Sequence, residues 1–254
     1  MAESGSSIEL KGFGATMRRD AWWLELIPVV LVMGGFSVYA TWRAFEGAYY
    51  EWGPYLSPFY SPLIKPSWWP LSPALLILWA PLGFRATCYY YRKALYRSFL
   101  LDPPACAVGE SHPHRYSGET RFPFILQNLH RYFLYVAIIF LFILWYDAIV
   151  AFWFDSPTGK HFGIGVGSLV LLANIVLLSG YTLSCHSLRH ILGGNVDCFS
   201  CAVAGGPRHS AWRGASILNE HHMLFAWLSL SSVGLADFYI RLVASGAIQD
   251  LRLL

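Results

Sequence analysis

Charged side chains are scarce in this sequence. Only 13% of its 254 residues are Asp, Glu, Lys or Arg, whereas soluble chains carry about a quarter. Hydrophobic residues make up 56%, and the mean hydropathy is +0.43. This composition excludes a disordered chain, a coiled coil and an ordinary cytosolic enzyme. It leaves two classes, a polytopic membrane protein or a very apolar partner subunit.

Motifs for common enzyme chemistries are missing as well. The sequence has no catalytic triad, no phosphate-binding glycine loop and no paired carboxylates, so the chain alone offers no hydrolytic or transferase site. The net charge is only +3, and Lys and Arg form no cluster. The sequence therefore gives no indication of binding to nucleic acid.

Long apolar runs are what the sequence does contain. A helix needs about 20 mostly apolar residues to cross about 30 Å of hydrocarbon at about 1.5 Å per residue. Five runs reach this length, and the alternation typical of barrel strands is absent. The five runs cover residues 23–42, 71–91, 124–154, 162–190 and 223–243. The sequence predicts an all-α fold, a single multi-pass domain over residues 1–254 with five transmembrane helices in the cell membrane.

Lys and Arg are distributed unevenly between the two sides of these predicted spans. One side has eleven: Lys11, Arg18, Arg19, Arg92, Lys93, Arg97, Arg115, Arg121, Arg189, Arg208 and Arg213. The other side has five: Arg43, Lys65, Lys160, Arg241 and Arg252. Because cytoplasmic loops are enriched in Lys and Arg, this distribution predicts a cytoplasmic N-terminus and a C-terminus outside.

Histidine and cysteine collect on the predicted cytoplasmic side of the last two spans. His186 and His190 are four residues apart, so a helix would present them on one face. Cys198 and Cys201 form a CxxC motif in the following loop, a spacing with which two thiolates can bind one metal ion. His222 lies at the start of the fifth span. These five residues predict a metal or cluster site at this edge of the membrane.

This ligand set is compatible with more than one metal group. Two Cys and two His suit a structural zinc ion, and they also suit a Rieske-like [2Fe–2S] cluster with Cys on one iron and His on the other. Haem b is the third possibility, with His130 and either His186 or His222 as axial ligands, although the CxxC motif then has no role. No disulfide is expected in the CxxC motif, because the cytoplasm is reducing.

The other cysteines and the polar residues within the spans are interpreted as structural. Cys88, Cys106 and Cys185 each fit a small apolar role, with Cys185 a reserve ligand beside His186. Several polar side chains lie within the predicted spans and are expected to join helices: Asp147, Asn174, Asp237 and Arg241. The last two are four residues apart, which predicts an ion pair on one helix face.

The most informative stretch of the chain is its last third. CHSLRHILGGNVDCFSC, followed by a basic loop and LNEHHMLFAWLSLSSVGLADFYIRL, resembles the membrane-anchor subunit of actinobacterial-type succinate dehydrogenase (respiratory complex II). The resemblance covers most of the chain and is most specific over residues 181–241. It implies an anchor with a flavoprotein subunit and an iron–sulfur subunit docked on its cytoplasmic face.

The resemblance also implies a redox role. Electrons from succinate would pass to a membrane quinone, menaquinone, through a Rieske-like [2Fe–2S] cluster that replaces the haem b of many complex II anchors. Carried onto this sequence, the ligands would be Cys198 and Cys201 with two of His186, His190 and His222, the last two ranked first. A haem b anchor of a related quinone oxidoreductase, and a transporter or scaffold with structural zinc, are the alternatives.

Overall fold

Four helices of the computed structural model are long and apolar enough to cross a membrane. They are Trp22–Glu46, Ile125–Val150, Val166–Leu183 and His222–Ala244, and they match the first, third, fourth and fifth predicted spans. The structure describes residues 12–110, 120–122, 124–194 and 196–254. Lys11 and Arg115, which were counted for the predicted orientation, lie outside the described residues.

The described residues are mainly helical. The α-helices are α1 Leu26–Glu46, α2 Ala74–Ile77, α3 Trp79–Ala86, α4 Tyr89–Leu95, α5 His130–Val150, α6 Val166–Leu183, α7 His186–Arg189, α8 Gly205–Glu220 and α9 His222–Ala244. Single 3₁₀ or π turns occupy Trp22–Glu25, Pro58–Tyr60, Tyr96–Leu100, Phe124–Leu129, His190–Gly194 and Phe199–Cys201. Helix α8 falls where the sequence indicated only a basic loop.

The second predicted span is a series of short helices, α2 to α4. Pro81 has no N–H for the helix ladder, and the Thr87 hydroxyl donates to the Gly83 carbonyl at 2.7 Å. Cys88 then adopts an extended backbone, with ψ at 127°, which separates α3 from α4. A crossing of the membrane by this segmented stretch stays a prediction.

Two short β-hairpins accompany the helices of the predicted all-α fold. Strands β1 (Glu51–Trp52) and β2 (Tyr55–Leu56) are antiparallel, as are β3 (Trp153–Ser156) and β4 (Gly159–Phe162). The third predicted span therefore ends at Val150, since the residues that follow pair as strands. Gly159 has φ at +120° in the second hairpin, a conformation that favours glycine.

The bundle has two distinct ends. At one end α5 begins at His130, α6 ends at Leu183 and α9 begins at His222; we call this the histidine end. The opposite end carries both β-hairpins and is called the hairpin end. Helix α9 packs most extensively against α6, and each end has its own cluster of buried apolar side chains.

The predicted polar contacts between helices are confirmed for Asp237 and Asn174. Asp237 is fully buried, and it accepts from Arg241 Nε at 2.8 Å and from the Tyr39 hydroxyl at 2.6 Å. The predicted ion pair on α9 therefore also contacts α1, through the Tyr39 hydroxyl. Asn174 accepts from the Ser232 hydroxyl at 3.0 Å, which joins α6 to α9.

Close packing of α6 on α9 depends on a glycine. A Cβ at Gly180 would lie 2.4 Å from the Phe225 ring. We expect Gly180→Ala to destabilise the anchor by about 1–3 kcal/mol, because the ring must shift in a packed interface. Gly214→Ala on α8 is the matched control, since its Cβ meets nothing within 4 Å. It should stabilise the chain by about 0.5–1 kcal/mol. Thermal unfolding of the purified protein measures both effects, and equal responses would contradict the prediction.

Candidate metal centre

The CxxC motif forms a disulfide in the structure. The Cys198 and Cys201 sulfurs are bonded to each other across the turn Phe199–Cys201. The expectation of no disulfide was wrong, because this turn brings the two Cα atoms to 5.3 Å, within the range that a disulfide spans. The two sulfurs are paired with each other and with no other predicted ligand.

His186 and His190 lie on an open surface pocket at the histidine end. Both side chains are exposed, and both line a pocket of about 710 Å³. Arg131 Nη2 donates to His190 Nδ1 at 2.7 Å. The predicted helix containing both histidines is interrupted, since α6 ends at Leu183 and Cys185 is extended before α7.

His222 points into the bundle instead. Its side chain is buried, and its ring stacks on Tyr181 with 5.2 Å between centroids. Nδ1 lies 2.7 Å from the Ser184 hydroxyl, and Nε2 lies 3.6 Å from Cys88 Sγ. Its ring centroid is 6.2 Å from that of His186. His222 therefore contacts Cys88, a cysteine for which the sequence predicts only a small apolar role.

A second histidine–cysteine pair lies beside the first. His130 Nε2 is 3.1 Å from Cys185 Sγ, and Nδ1 is 2.9 Å from the Thr87 hydroxyl. The His130 ring stacks on Phe84 at 4.8 Å. We refer to Cys88, His130, Cys185 and His222 together as the buried His–Cys group.

All four members of the buried His–Cys group stand at helix boundaries. Cys88 directly precedes α4 and Cys185 precedes α7, both with an extended backbone, while His130 and His222 are the first residues of α5 and α9. The two pairs are adjacent, because the Phe84 ring on His130 contacts the Tyr181 ring on His222 with 5.4 Å between centroids. Helix ends from four parts of the chain thus bring two imidazoles and two thiols together.

Hydrogen bonds fix which nitrogen of each imidazole carries the proton. The Thr87 hydroxyl donates to the Gly83 carbonyl, and the Ser184 hydroxyl donates to the Tyr181 carbonyl at 3.0 Å. Each hydroxyl oxygen is then free to accept from a histidine Nδ1–H, an assignment made from the hydrogen-bond network. Both Nε2 atoms, which face sulfur, are left unprotonated. That is the form in which imidazole binds a metal.

Both cysteines of the buried His–Cys group are shielded from solvent. Cys88 and Cys185 are 3% and 2% exposed and lie in one apolar cluster. Burial raises the pKa of the Cys185 thiol, because the thiolate loses its hydration. Metal binding requires the thiolate, so occupation of this site by a metal group is coupled to proton release.

Tyr181 and Arg85 are two polar side chains near the thiols. The Tyr181 hydroxyl is buried without a hydrogen-bond partner and lies within interaction range of Cys88. Leaving such a group unpaired costs about 1–3 kcal/mol. Arg85 stacks over the Tyr181 ring at 4.6 Å and donates to Ser229 at 3.0 Å. No carboxylate of the described residues forms an ion pair with Arg85.

The donor atoms of the buried His–Cys group can be compared with the ligand set of a metal group. Among the described residues, no three His, Cys, Asp or Glu side chains meet closely enough to hold a metal ion. A [2Fe–2S] group divides its ligands between two irons, two Cys and two His in the Rieske type. The donor set of the buried His–Cys group has this composition, and the unpaired Tyr181 hydroxyl offers a hydrogen bond to a sulfur there.

A family model and a solved structure each match most of the chain. A family model described as actinobacterial succinate dehydrogenase subunit SdhC matches residues 24–246. A solved chain titled Mycobacterium smegmatis Sdh1 complex in the apo form is similar at 46% sequence identity and a TM-score of 0.83, with 94% of each chain covered. No curated protein matches the chain.

Proposed function

Since the chain belongs to the family of actinobacterial succinate dehydrogenase SdhC subunits, we propose that it passes electrons through a Rieske-like [2Fe–2S] cluster to a membrane quinone, menaquinone. It is a multi-pass membrane-anchor subunit of that oxidoreductase. The observation that carries the redox proposal is the buried His–Cys group, in which each unprotonated imidazole nitrogen faces a thiol.

The proposed ligands are the thiolates of Cys88 and Cys185 and the Nε2 atoms of His130 and His222. Such a cluster exchanges single electrons, and its neutral imidazole ligands raise its potential above that of an all-thiolate cluster. The surrounding chain holds the ligands in place: Thr87 and Ser184 orient the two imidazoles. Phe84 and Tyr181 stack on these rings and keep water away.

The ligands predicted from the sequence motif form the competing set. Cys198 and Cys201, with two of His186, His190 and His222, would bind a metal group only after reduction of the disulfide. The geometry favours the buried His–Cys group, because its donors already face one another. Replacing both Cys88 and Cys185, or both Cys198 and Cys201, by serine distinguishes the two ligand sets.

The histidine end is proposed as the cytoplasmic end, where the flavoprotein and iron–sulfur subunits dock. Most described basic residues flank it: Arg18, Arg19, Arg92, Lys93, Arg97, Arg121, Arg131, Arg189, Arg208 and Arg213. The positive-inside rule places such a side in the cytoplasm. Electrons would then enter the anchor at the end that holds the buried His–Cys group.

Metal analysis of the intact complex tests the proposed function. We expect iron and acid-labile sulfide in excess of the amounts bound by the two soluble subunits. A haem absorption band without the excess sulfide would favour a haem b anchor with His130 and His222. Zinc without excess iron would favour a structural metal site. Either result would overturn the cluster proposal.

The Tyr181 hydroxyl gives a second test, which does not depend on turnover. Tyr181→Phe removes a hydrogen-bond donor beside Cys88, and such bonds raise the potential of a cluster by stabilising its reduced form. We expect the midpoint potential to fall by roughly 40 mV, the equivalent of about 1 kcal/mol for one electron. Tyr132→Phe, at an exposed site on α5, is the control. A redox titration with equal potentials in both variants would contradict the assigned role.

A further inference from the structure

The Cys198–Cys201 disulfide lies in the loop between α7 and α8, on the side of the bundle that is proposed as cytoplasmic. Cys201 is exposed and Cys198 is half-buried, whereas the thiols of Cys88 and Cys185 are buried. The cytoplasm keeps most thiols reduced, and the disulfides that do occur there are usually transient, catalytic or redox-sensing. The location of this disulfide therefore indicates a bond that forms and breaks.

The hydroxyl of Ser200 distinguishes the two sulfurs of the disulfide. It lies 3.2 Å from Cys198 Sγ and 4.0 Å from Cys201 Sγ. Neither sulfur of a disulfide carries a proton, so the hydroxyl is the donor. The same hydrogen bond stabilises a thiolate on Cys198 when the disulfide opens, and a more stable thiolate leaves faster. Cys198 is thus the better leaving group, and the exposed Cys201 is the sulfur open to attack.

The charges along this loop favour the same direction of attack. Asp197 is exposed and directly precedes Cys198, so its carboxylate repels an anion that approaches this sulfur. Helix α8 begins four residues after Cys201, with Arg208 in its first turn and no acidic residue there. The positive end of a helix dipole and a basic side chain both attract a thiolate. An anionic thiol is therefore drawn to the Cys201 side of the disulfide.

We propose that Cys198 and Cys201 form a thiol–disulfide exchange site for a small anionic thiol of the cytoplasm. The thiolate of this small molecule attacks Cys201 Sγ, the S–S bond of the protein breaks, and its electron pair leaves on Cys198. A second small thiolate then attacks the small-molecule sulfur of the mixed disulfide and releases the Cys201 thiolate. The protein disulfide gains two electrons, the two small thiols are oxidised to their own disulfide, and their protons pass to the cysteines. The exchange requires the proposed cytoplasmic orientation of the histidine end, but it does not require the cluster.

The disulfide also holds one wall of the open pocket that contains His186 and His190. Phe199 lies between the two cysteines in sequence and lines this pocket, and its ring centroid is 5.9 Å from that of Trp212. A Cβ at Gly193 would lie 2.6 Å from the same ring, so the ring is closely packed. Opening of the disulfide removes the covalent restraint on the turn that carries Phe199. The redox state of the small thiol is in this way transmitted to the pocket.

Alkylation of the intact complex tests the exchange, with glutathione as the small anionic thiol. The complex carries Cys106→Ser, because Cys106 is an exposed free cysteine, and it is equilibrated first with oxidised and then with reduced glutathione. Mass spectrometry should find Cys198 and Cys201 protected from alkylation after the first step and alkylated after the second. A native complex that forms no disulfide in the first step would overturn the proposal, as would a disulfide that reduced glutathione opens only after unfolding.

Single variants test the direction of attack. In Cys198→Ser, oxidised glutathione should form a stable mixed disulfide on the exposed Cys201, whereas in Cys201→Ser none should form on the half-buried Cys198 over the same interval. Ser200→Ala should slow reduction of the protein disulfide by about tenfold, the effect of losing one hydrogen bond to a thiolate. Ser210→Ala, at an exposed position on α8, is the matched control and should react at the unchanged rate. Equal rates in the two alanine variants, or a mixed disulfide on Cys198 alone, would overturn the assigned direction.

Hydrogen exchange of the same complex tests the link to the pocket. The Cys201 N–H donates to the Cys198 carbonyl and the Ala202 N–H to the Phe199 carbonyl, and both amides should exchange faster after reduction of the disulfide. The Cys198→Ser, Cys201→Ser variant should show the same rates in oxidised and reduced glutathione. Unchanged protection of both amides in the reduced complex would overturn the transmission to the pocket.

Discussion

Replacing both Cys88 and Cys185 by serine is expected to lower the rate of quinone reduction by about 100-fold or more. Even the loss of residues that only support metal ligands lowers metal affinity or activity by about 10–100-fold. Serine keeps the size of the side chain but removes both thiolates from the buried His–Cys group. Succinate oxidation with a soluble dye should continue, because that reaction occurs in the soluble subunits. Steady-state assays with quinone and with dye measure the two activities separately.

Two further cysteine variants make this result specific. Cys106→Ser changes an exposed free cysteine and should leave both activities unchanged. Cys198→Ser with Cys201→Ser removes the CxxC pair and should retain quinone reduction. If the CxxC variant loses quinone reduction and the Cys88 and Cys185 variant retains it, the ligands are the CxxC cysteines predicted from the sequence.

Arg241→Met should destabilise the anchor by about 3–5 kcal/mol, the usual cost of removing one partner from a buried ion pair. Asp237 is fully buried, and the substitution leaves its carboxyl group without its cationic partner. Arg241 also binds Glu46 at 2.6 Å and the Ala48 carbonyl, so the substitution loosens α1 as well. Thermal unfolding of the purified complex should therefore begin at a markedly lower temperature.

A double variant separates the ion pair from simple packing. Asp237→Leu combined with Arg241→Met leaves no buried charge, and it should recover much of the stability that Arg241→Met loses. Arg18→Met, which breaks an exposed pair with Asp20, should leave the unfolding temperature unchanged. Equal losses in the single and double variants would show that the charge of Asp237 is not the cause.

The apolar runs predicted four spans well, because hydropathy and length alone determine whether a helix can cross a membrane. The second run is as apolar as the others, so its composition does not show where the helix is interrupted. The interruption at Thr87 and Cys88 arises from local backbone conformation. The β-hairpins were missed for a related reason. Aromatic residues next to a span extend its apolar run, as Trp153 and Phe154 do, although they pair as strands.

The site was only partly predictable because its ligands meet through tertiary structure. His222 was identified from its neighbours in sequence, and His130 was considered only as a haem ligand. Cys88 and Cys185 are 97 positions apart in the sequence, so no local spacing connects them. The spacing of the CxxC motif is suitable for binding a metal ion, yet its two sulfurs are bonded to each other.

Electron paramagnetic resonance of the succinate-reduced complex tests the central proposal most directly. We expect a Rieske-type [2Fe–2S] signal with coupling to histidine nitrogen in the wild-type protein and in the Cys198→Ser, Cys201→Ser variant. We expect no such signal when Cys88 and Cys185 are replaced by serine. A wild-type complex without the signal, or a signal that survives the loss of Cys88 and Cys185, would contradict the proposed cluster and its ligands.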